Sequence, residues 1–284
     1  MMTEISKSEP LIIQLAPTGM ILQKSDNPSV PISPDEIAAD VSQCYKLGVS
    51  VVHVHARHKD GTSGFEREIY EEIFEKIRKK CPEIIICAST SGRGVQDMEN
   101  RCQVLDLMPE MATLTVGTVN FVGQRSNNTF DSVKDLADRM GKLGIKPEIE
   151  IFERGFINTA LYLAKKGHLT YPLHFNLLLG SLGSIPAELR DLVYLVDSIP
   201  EGNTWGATGI GRFQIGINAA AIIMGGHVRV GLEDALYYHQ ATRELATNEN
   251  LIKRVVRIAG EVGREIATPK EARRILSLTP GESL

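Results

Sequence analysis

Segments typical of buried strands recur eight times along this 284-residue chain, and amphipathic segments with helical spacing separate them. The predicted strands are residues 11–16, 50–56, 84–89, 112–116, 148–152, 173–179, 205–208 and 227–232. Strands that alternate with helices favour a parallel sheet, because each helix returns the chain to the start of the next strand. Eight such units in a chain of this length predict an α/β protein with a (β/α)8 TIM barrel.

The predicted helices include residues 34–47, 66–80, 131–143, 186–196 and 214–224, and a longer one at 241–266 would close the barrel. Ser33 followed by Pro34 is a typical helix start. The main alternative fold is an open doubly wound sheet, which usually has a glycine-rich turn after its first strand. The turn at residues 16–19 reads Ala-Pro-Thr-Gly and is a poor match. We therefore expect a single domain over residues 1–284, with residues 1–10 as a short extension.

The composition argues against several classes of partner. The formal net charge is -4, which gives no basic footprint for nucleic acid. No apolar run is long enough to span a bilayer, and residues 1–10 lack the apolar core of a signal peptide. The four cysteines show no CxxC spacing and are typical of reduced, buried thiols. We expect a cytoplasmic protein without nucleic-acid or membrane partners.

His53 and His55 lie two residues apart in an apolar, β-branched run. Side chains alternate along a strand, so both imidazoles point to the same face. Buried imidazoles need a polar partner, and a divalent metal is a common one. The pair therefore predicts a metal site, and a structural pair of strand histidines is the alternative interpretation.

TIM barrels place their active sites at the carboxyl ends of the strands, which selects candidates that are far apart in sequence. A catalytic zinc site has about three protein ligands and an open position. In a closed barrel the last strand adjoins the first and the first adjoins the second, so Glu233, after the last strand, is the predicted third ligand. Imidazole with carboxylate fits zinc, and manganese and iron stay open.

Arg229 and Asp234 flank the end of the last predicted strand. An arginine lowers the pKa of a neighbouring carboxylate and orients it, as a proton-abstracting base requires. Asp234 is thus the predicted base and Arg229 its partner, with a structural ion pair as the alternative. Ser89, at the end of the third strand, could hydrogen-bond either group. The turn at residues 209–212 holds two glycines and an arginine and could bind phosphate.

Four segments of the sequence resemble the β-keto acid cleavage enzymes, whose type member acts on 3-keto-5-aminohexanoate. They are residues 53–61, 109–114, 204–212 and 226–234, and the resemblance extends in order from residue 11 to residue 269. It implies a zinc-dependent (β/α)8 barrel in which a β-keto acid reacts with acetyl-CoA to give acetoacetate and a new acyl-CoA. It also implies a homo-oligomer, which we expect to be a homotetramer.

By position, the resemblance implies roles for residues already selected and adds two more. The implied metal ligands are His53, His55 and Glu233, the implied catalytic group is Asp234, Arg229 and Ser89, and Thr113 and Glu150 match substrate-pocket positions. Glu150 also points into the barrel in the predicted strand register.

Two positions depart from the aminohexanoate enzyme. Its glutamate after the first strand, suited to an ammonium group, is Ile21 here, and its asparagine after the fourth-strand Thr-Leu pair is Thr115. An apolar side chain in place of that carboxylate would leave a cationic substrate tail unpaired. We therefore expect a β-keto acid with an uncharged, aliphatic tail, in a pocket that includes Ile21, Thr115 and Gly92.

Two other classes of function are compatible with such a barrel. Metal-dependent hydrolases of the amidohydrolase type also use an HxH motif, but theirs usually ends the first strand and here it lies on the second. A metal-bound barrel that only binds a small molecule is the non-enzymatic alternative. Consumption of acetyl-CoA would distinguish the expected enzyme from both.

Overall fold

The computed structural model describes residues 9–94 and 97–278, in which eight parallel strands form a closed barrel. The strands are β1 (Ile13–Leu15), β2 (Val51–Val54), β3 (Ile85–Ala88), β4 (Met111–Thr115), β5 (Lys146–Ile151), β6 (His174–Leu179), β7 (Thr204–Gly209) and β8 (His227–Val230). Each strand pairs with the next along the chain, and β8 pairs with β1. The predicted TIM barrel is confirmed, while residues 1–8 of the expected extension lie outside the described residues.

Helices connect the strands, as the alternating pattern predicted. They are α1 (Pro34–Tyr45), α2 (Arg67–Lys80), α3 (Met98–Cys102), α4 (Phe130–Lys142), α5 (Arg154–Lys165), α6 (Leu189–Val196), α7 (Gln214–Ile223), α8 (Asn248–Glu261) and α9 (Pro269–Ile275). At the start of α1, the Ser33 side chain accepts the Glu36 N–H at 3.3 Å, and the Glu36 carboxylate accepts the Ser33 N–H at 3.0 Å. This reciprocal cap explains why the helix begins at Pro34, as predicted.

The helix predicted at residues 241–266 begins later than expected. Tyr237–His239 and Glu244–Leu245 pair as a short antiparallel hairpin. Arg243 in its turn has a φ of 54°, a left-handed backbone conformation that a right-handed helix cannot contain. The Thr247 side chain then accepts the Asn250 N–H at 3.1 Å and caps α8. The prediction was therefore wrong for the first seven residues and also for the last five, because α8 ends at Glu261.

The interior of the barrel is polar at mid-height, where TIM barrels are usually filled by branched apolar side chains. Glu148 on β5 is fully buried and accepts hydrogen bonds from Gln14 on β1 and from Asn176 on β6, the second at 3.1 Å. Burial raises the pKa of Glu148 above its usual range. Since Glu150 lies two residues further along the same strand, this polar layer lies directly below the carboxyl end of the barrel.

Two short hairpins extend the carboxyl ends of β2 and β4. They pair Ala56–Arg57 with Ser63–Gly64, and Val119–Asn120 with Arg125–Ser126. The buried Arg57 guanidinium donates to the carbonyls of Gly19 at 2.8 Å and Leu22 at 2.9 Å. These bonds attach the loop after β1 to the first hairpin and fix one wall of the barrel mouth.

All four cysteines are buried and free, as the sequence predicted. Burial raises the pKa of the Cys44 and Cys87 thiols above their usual range, so both stay protonated. In the part of the chain that the structure describes, no helix combines the length and apolar character that crossing a bilayer requires.

Candidate active site and metal centre

A cavity of about 400 Å³ opens at the carboxyl ends of the barrel strands, where TIM barrels hold their active sites. The residues predicted from the sequence that line it are Ile21, His55, Ser89, Thr115, Glu150, Arg229, Glu233 and Asp234. They lie on or just after six different strands. The closed barrel therefore brings together side chains that are distant in sequence.

His53, His55 and Glu233 converge at the edge of this cavity. Nε2 of His55 lies 3.3 Å from Glu233 Oε1, and Nε2 of His53 lies 3.6 Å from Glu233 Oε2. Among the described residues, His53 Nδ1 and Glu233 Oε2 are buried without a hydrogen-bond partner. Two imidazoles and a carboxylate with such unsatisfied buried atoms fit a divalent ion, and zinc prefers these donors.

Electrostatics keep His53 and Glu233 in the forms that bind a metal. Burial lowers the pKa of His53 well below its usual range, so its imidazole is neutral at pH 7. Burial alone would raise the pKa of Glu233, but Arg229 and the two histidines hold it well below its usual range. Neutral imidazole and ionised carboxylate are the forms that metal binding requires.

A second trio, His53, Cys87 and Glu148, is also close enough to share an ion. Cysteine binds metals as a thiolate, and burial raises the pKa of Cys87 well above its usual range. Glu148 already accepts two amide hydrogen bonds. The trio that includes Glu233, which also faces the cavity, is therefore the candidate metal centre.

Close backbone packing sets the position of Glu233. At Gly231 a Cβ atom would lie 2.0 Å from the carbonyl oxygen of Ala16, so only glycine lets the loop after β8 approach the end of β1 so closely. The Glu233 N–H donates to the same Ala16 carbonyl at 3.2 Å. Gly19 lies against the Glu233 side chain, where a Cβ would be 2.6 Å from Cγ. The loop after β1 therefore contacts Glu233 directly and fixes the position of its carboxylate.

Arg229 holds Asp234 in a bidentate ion pair, as expected from the sequence. Nε donates to Oδ2 at 2.9 Å, and Nη2 donates to Oδ1 at 3.0 Å. Nη2 also lies 2.7 Å from Glu233 Oε1, so the guanidinium joins Asp234 to the candidate metal centre. Asn218 on α7 donates to the Arg229 carbonyl at 3.0 Å and fixes the strand below it.

Burial raises the pKa of Asp234 above its usual range, and Arg229 opposes the rise. The sequence interpretation, in which Arg229 leaves this pKa lowered, was wrong because loss of hydration outweighs the ion pair. A raised pKa makes the ionised carboxylate a stronger base. Held in one orientation at the cavity surface, Asp234 can take a proton from a substrate carbon.

Glu150 and Thr115 form a hydrogen-bonded pair in the cavity wall, with the Thr115 hydroxyl donating to Glu150 Oε2. Glu150 Oε1 lies 3.6 Å from Nη1 of Arg229. Burial raises the pKa of Glu150 to about 7. Both protonation states are therefore present near neutral pH, and the side chain can donate or accept a hydrogen bond to a bound molecule.

Thr113 and Gly92, two of the predicted substrate residues, are absent from the part of the cavity wall that the structure describes. The Thr113 hydroxyl accepts the Thr90 N–H at 3.0 Å. Gly92 packs against Arg101, where a Cβ would lie 2.8 Å from Nη1. Both residues support neighbouring segments of the site, and their direct contact with a substrate stays a prediction.

Ser89 lines the cavity, but its hydroxyl accepts the Ser91 N–H at 3.3 Å. Within the described residues it makes no hydrogen bond to Arg229 or Asp234. The pairing expected from the sequence is therefore absent, and the Ser89 hydroxyl is available at the cavity surface.

Two amides of the turn at residues 209–212 are engaged in hydrogen bonds within the protein. The N–H of Ile210 donates to the Leu179 carbonyl at 2.8 Å, and the N–H of Gly211 donates to the Asp234 carbonyl at 2.6 Å. Backbone amides bind anions only where they point at the ligand. These two amides are therefore not available to a phosphate group, and the Gly211 amide supports the backbone of Asp234.

The sequence reasoning missed an apolar wall on the cavity. Its side chains are Leu22, Phe121, Val122, Phe152, Leu178 and Leu182. The hairpin after β4 supplies Phe121 and Val122, and Val122 and Leu182 are largely exposed at the mouth. Leu178 lies on β6 and Phe152 directly follows β5, whereas the other four come from loops without hydrophobic periodicity. No sequence pattern therefore indicates that they meet.

Arg93 also lines the cavity and was also missed. Its guanidinium lies over the Phe121 ring, 4.4 Å from the centroid. Burial lowers the pKa of Arg93. Its Nε is buried without a hydrogen-bond partner, and no carboxylate of the described residues lies within ion-pair distance. An arginine between two glycines just after the third strand was the available sequence signal.

Comparison with known proteins identifies close relatives over almost the full length. A family model described as beta-keto acid cleavage enzyme matches residues 10–278. The 3-keto-5-aminohexanoate cleavage enzyme of Fusobacterium nucleatum is 46% identical over 272 residues, covering 95% of this chain and 98% of the relative. The 3-oxoadipate:acetyl-CoA acetyltransferase of Cupriavidus necator is 35% identical over 275 residues, covering 95% and 96%.

A solved structure of ObcA bound to oxaloacetate superposes with a TM-score of 0.78 at 22% identity, over 88% of this chain and 68% of that one. At this identity the likeness concerns the fold alone. The family model and the two relatives, in contrast, match in sequence over nearly the whole chain. The chain belongs to the β-keto acid cleavage enzyme family.

Proposed function

We propose that this protein is a metal-dependent enzyme that converts a β-keto acid and acetyl-CoA into acetoacetate and a new acyl-CoA. The names of its relatives, for β-keto acid cleavage and for transfer with acetyl-CoA, support this reaction. The main structural support is the Arg229–Asp234 ion pair, whose guanidinium also lies 2.7 Å from the candidate metal ligand Glu233. A base beside a metal centre suits removal of a proton from a carbon between two carbonyls.

His53, His55 and Glu233 would hold the metal, which we propose to be zinc because imidazole and carboxylate are its common catalytic ligands. When bound, the metal supplies Lewis-acid polarisation of the substrate ketone. Arg229 bonds to both Glu233 and Asp234, so it keeps the base at a fixed distance from the centre.

In the proposed reaction Asp234 takes a proton from the carbon between the ketone and the carboxylate. That carbon bonds to the acetyl carbonyl, and the C–S bond breaks to release CoA thiolate. The thiolate attacks the original ketone, the bond from that ketone to the deprotonated carbon breaks, and the leaving acetoacetate carbon takes the proton back from Asp234. No protein nucleophile is needed, and the buried cysteines offer none.

We further propose that the substrate tail is uncharged and aliphatic. Ile21, which the family resemblance matches to a glutamate of the aminohexanoate enzyme, lines the cavity and is 47% exposed. Phe121, Phe152 and Leu178 continue the apolar wall. An ammonium group bound against these side chains would lose its hydration without gaining a counter-charge.

Arg93 supports a second candidate substrate, a β-keto acid whose tail ends in a carboxylate. Its guanidinium faces the same cavity, is partly desolvated, and has no acidic partner among the described residues. Arginine binds carboxylates in a bidentate manner. The relative from Cupriavidus necator is named for 3-oxoadipate, which is a substrate of this type.

The test measures acyl-CoA and acetoacetate from acetyl-CoA with β-keto acids that differ only in a methyl, ammonium or carboxylate tail end. We expect the methyl-ended acid to have the highest kcat/KM, and Glu233→Ala to abolish turnover. A preference for the ammonium-ended acid would contradict the tail proposal. A preference for the carboxylate-ended acid that Arg93→Met removes would establish the second candidate. Release of acetate without acyl-CoA would instead favour a hydrolase.

The homotetramer that the family resemblance implies and the cytoplasmic location expected from the sequence composition both stay predictions. Sedimentation equilibrium of the purified protein would test the first, with about four times the 31.2 kDa chain mass as the expected result. Fractionation of the source cells would test the second.

A further inference from the structure

Asn248, the first residue of α8, is 1% exposed and uses its whole amide in hydrogen bonds. Its Oδ1 accepts the Leu232 N–H at 2.8 Å. Its Nδ2 donates to the Pro17 carbonyl at 3.0 Å and to Asp40 Oδ2 at 2.6 Å. One buried side chain therefore joins the loop after β8, the loop after β1 and helix α1.

Both loops that Asn248 holds are in direct contact with Glu233. Leu232 immediately precedes Glu233 in the chain. The loop after β1 accepts the Glu233 N–H at Ala16 and packs Gly19 against the Glu233 side chain. A shift of either loop would move this carboxylate relative to His53 and His55, which lie on and just after β2.

We infer that Asn248 is a positioning residue that fixes Glu233 for metal binding, an inference that rests on the proposed metal centre. The amide is suited to the task because it supplies one acceptor and two donors, and here each has a partner. Asp40 completes the arrangement by accepting the second amide proton. Residues that orient metal ligands in this way typically alter metal affinity about 10- to 100-fold when changed.

Asn248→Asp keeps the size and the acceptor for Leu232 but replaces both donors. It places a second carboxylate at the 2.6 Å contact with Asp40, so the loops must separate or a proton must be taken up. The double variant Asn248→Asp with Asp40→Asn restores a donor–acceptor pair at that contact with the roles exchanged. Only the bond to Pro17 stays lost, so we expect partial recovery.

Asn203 offers a matched control at the opposite end of the barrel. Its Oδ1 accepts the Leu173 N–H at 2.7 Å, and its Nδ2 donates to the Pro200 carbonyl at 2.8 Å. It therefore makes the same kinds of bond, next to the first residues of β6 and β7. Asn203→Asp should lower stability without a change in metal affinity.

The experiment measures the Zn²⁺ affinity of the purified full chain by competition with a chromophoric chelator, together with the melting temperature of each metal-free protein. We expect Asn248→Asp to bind Zn²⁺ about 10- to 100-fold more weakly, the double variant to recover most of the loss, and Asn203→Asp to match the wild type. Equal Zn²⁺ affinity in wild type and Asn248→Asp, with only a lower melting temperature, would overturn the inference. No Zn²⁺ binding by the wild type would instead refute the proposed metal centre.

Discussion

Replacement of Gly19 by alanine gives a sharp test of how the fold positions the metal ligand. Gly19 has a φ of 65°, and a Cβ added there would lie 2.6 Å from Glu233 Cγ and 3.2 Å from its Cδ. Carbon atoms in contact are separated by about 3.5–4.0 Å, so the Glu233 side chain would have to retreat by about 1 Å. Metal–ligand distances tolerate only about 0.2 Å, so we expect Zn²⁺ affinity to fall by about 100-fold.

Gly144→Ala is the matched control, because Gly144 has a φ of 69° and no atom within 4 Å of its added Cβ. Both variants place alanine in left-handed backbone and should lose about 1–2 kcal/mol of unfolding free energy. Urea unfolding of the metal-free proteins measures that shared cost, and chelator competition measures Zn²⁺ affinity. Wild-type affinity in Gly19→Ala, or an equal loss in Gly144→Ala, would show that Gly19 does not set the position of Glu233 for metal binding.

Three further variants test other parts of the site and its surroundings. Asp234→Asn keeps the shape of the carboxylate that faces Arg229 but removes the base, so kcat should fall about 10²- to 10⁴-fold while Zn²⁺ affinity is retained; a loss under tenfold would contradict the assignment. Ile21→Glu should raise the kcat/KM ratio of ammonium-ended over methyl-ended β-keto acids, and an unchanged ratio would mean that the tail lies elsewhere. Burial raises the pKa of Asp40 from 3.8 to about 6. The stability that the neutral carboxyl group contributes is therefore fully present below pH 3.8 and is lost as the pH rises through 6. In urea unfolding, the unfolding free energy of Asp40→Asn relative to the wild type should therefore increase by up to about 3 kcal/mol between pH 4 and pH 8. A difference that does not change with pH would contradict the raised pKa.

The barrel and its candidate metal centre were predictable because local patterns and one topological rule suffice for them. Apolar runs bounded by turns located all eight strands, with ends displaced by one to a few residues. The spacing of His53 and His55 placed both rings on one side of β2. Closure of the barrel, which makes β8 the neighbour of β1, then indicated Glu233 as the third residue of the candidate metal centre.

Other features were not predictable because they depend on contacts between segments that are distant in the chain. The hairpin in which Arg243 adopts a positive φ interrupts a segment with helical spacing, so its periodicity was misleading. The pKa of Asp234 depends on burial, which the sequence spacing to Arg229 does not reveal. Asn248 begins a helix, and only the folded structure shows its amide between two loops.

The fate of the acetyl group decides whether this protein carries out the proposed reaction. Acetyl-CoA labelled with ¹³C at both acetyl carbons would be incubated with a methyl-ended β-keto acid and the zinc-loaded protein, and the products analysed by NMR and mass spectrometry. We expect acetoacetate labelled at C3 and C4 together with an equal amount of unlabelled acyl-CoA. Unlabelled acetoacetate, or labelled acetate without acyl-CoA, would contradict it.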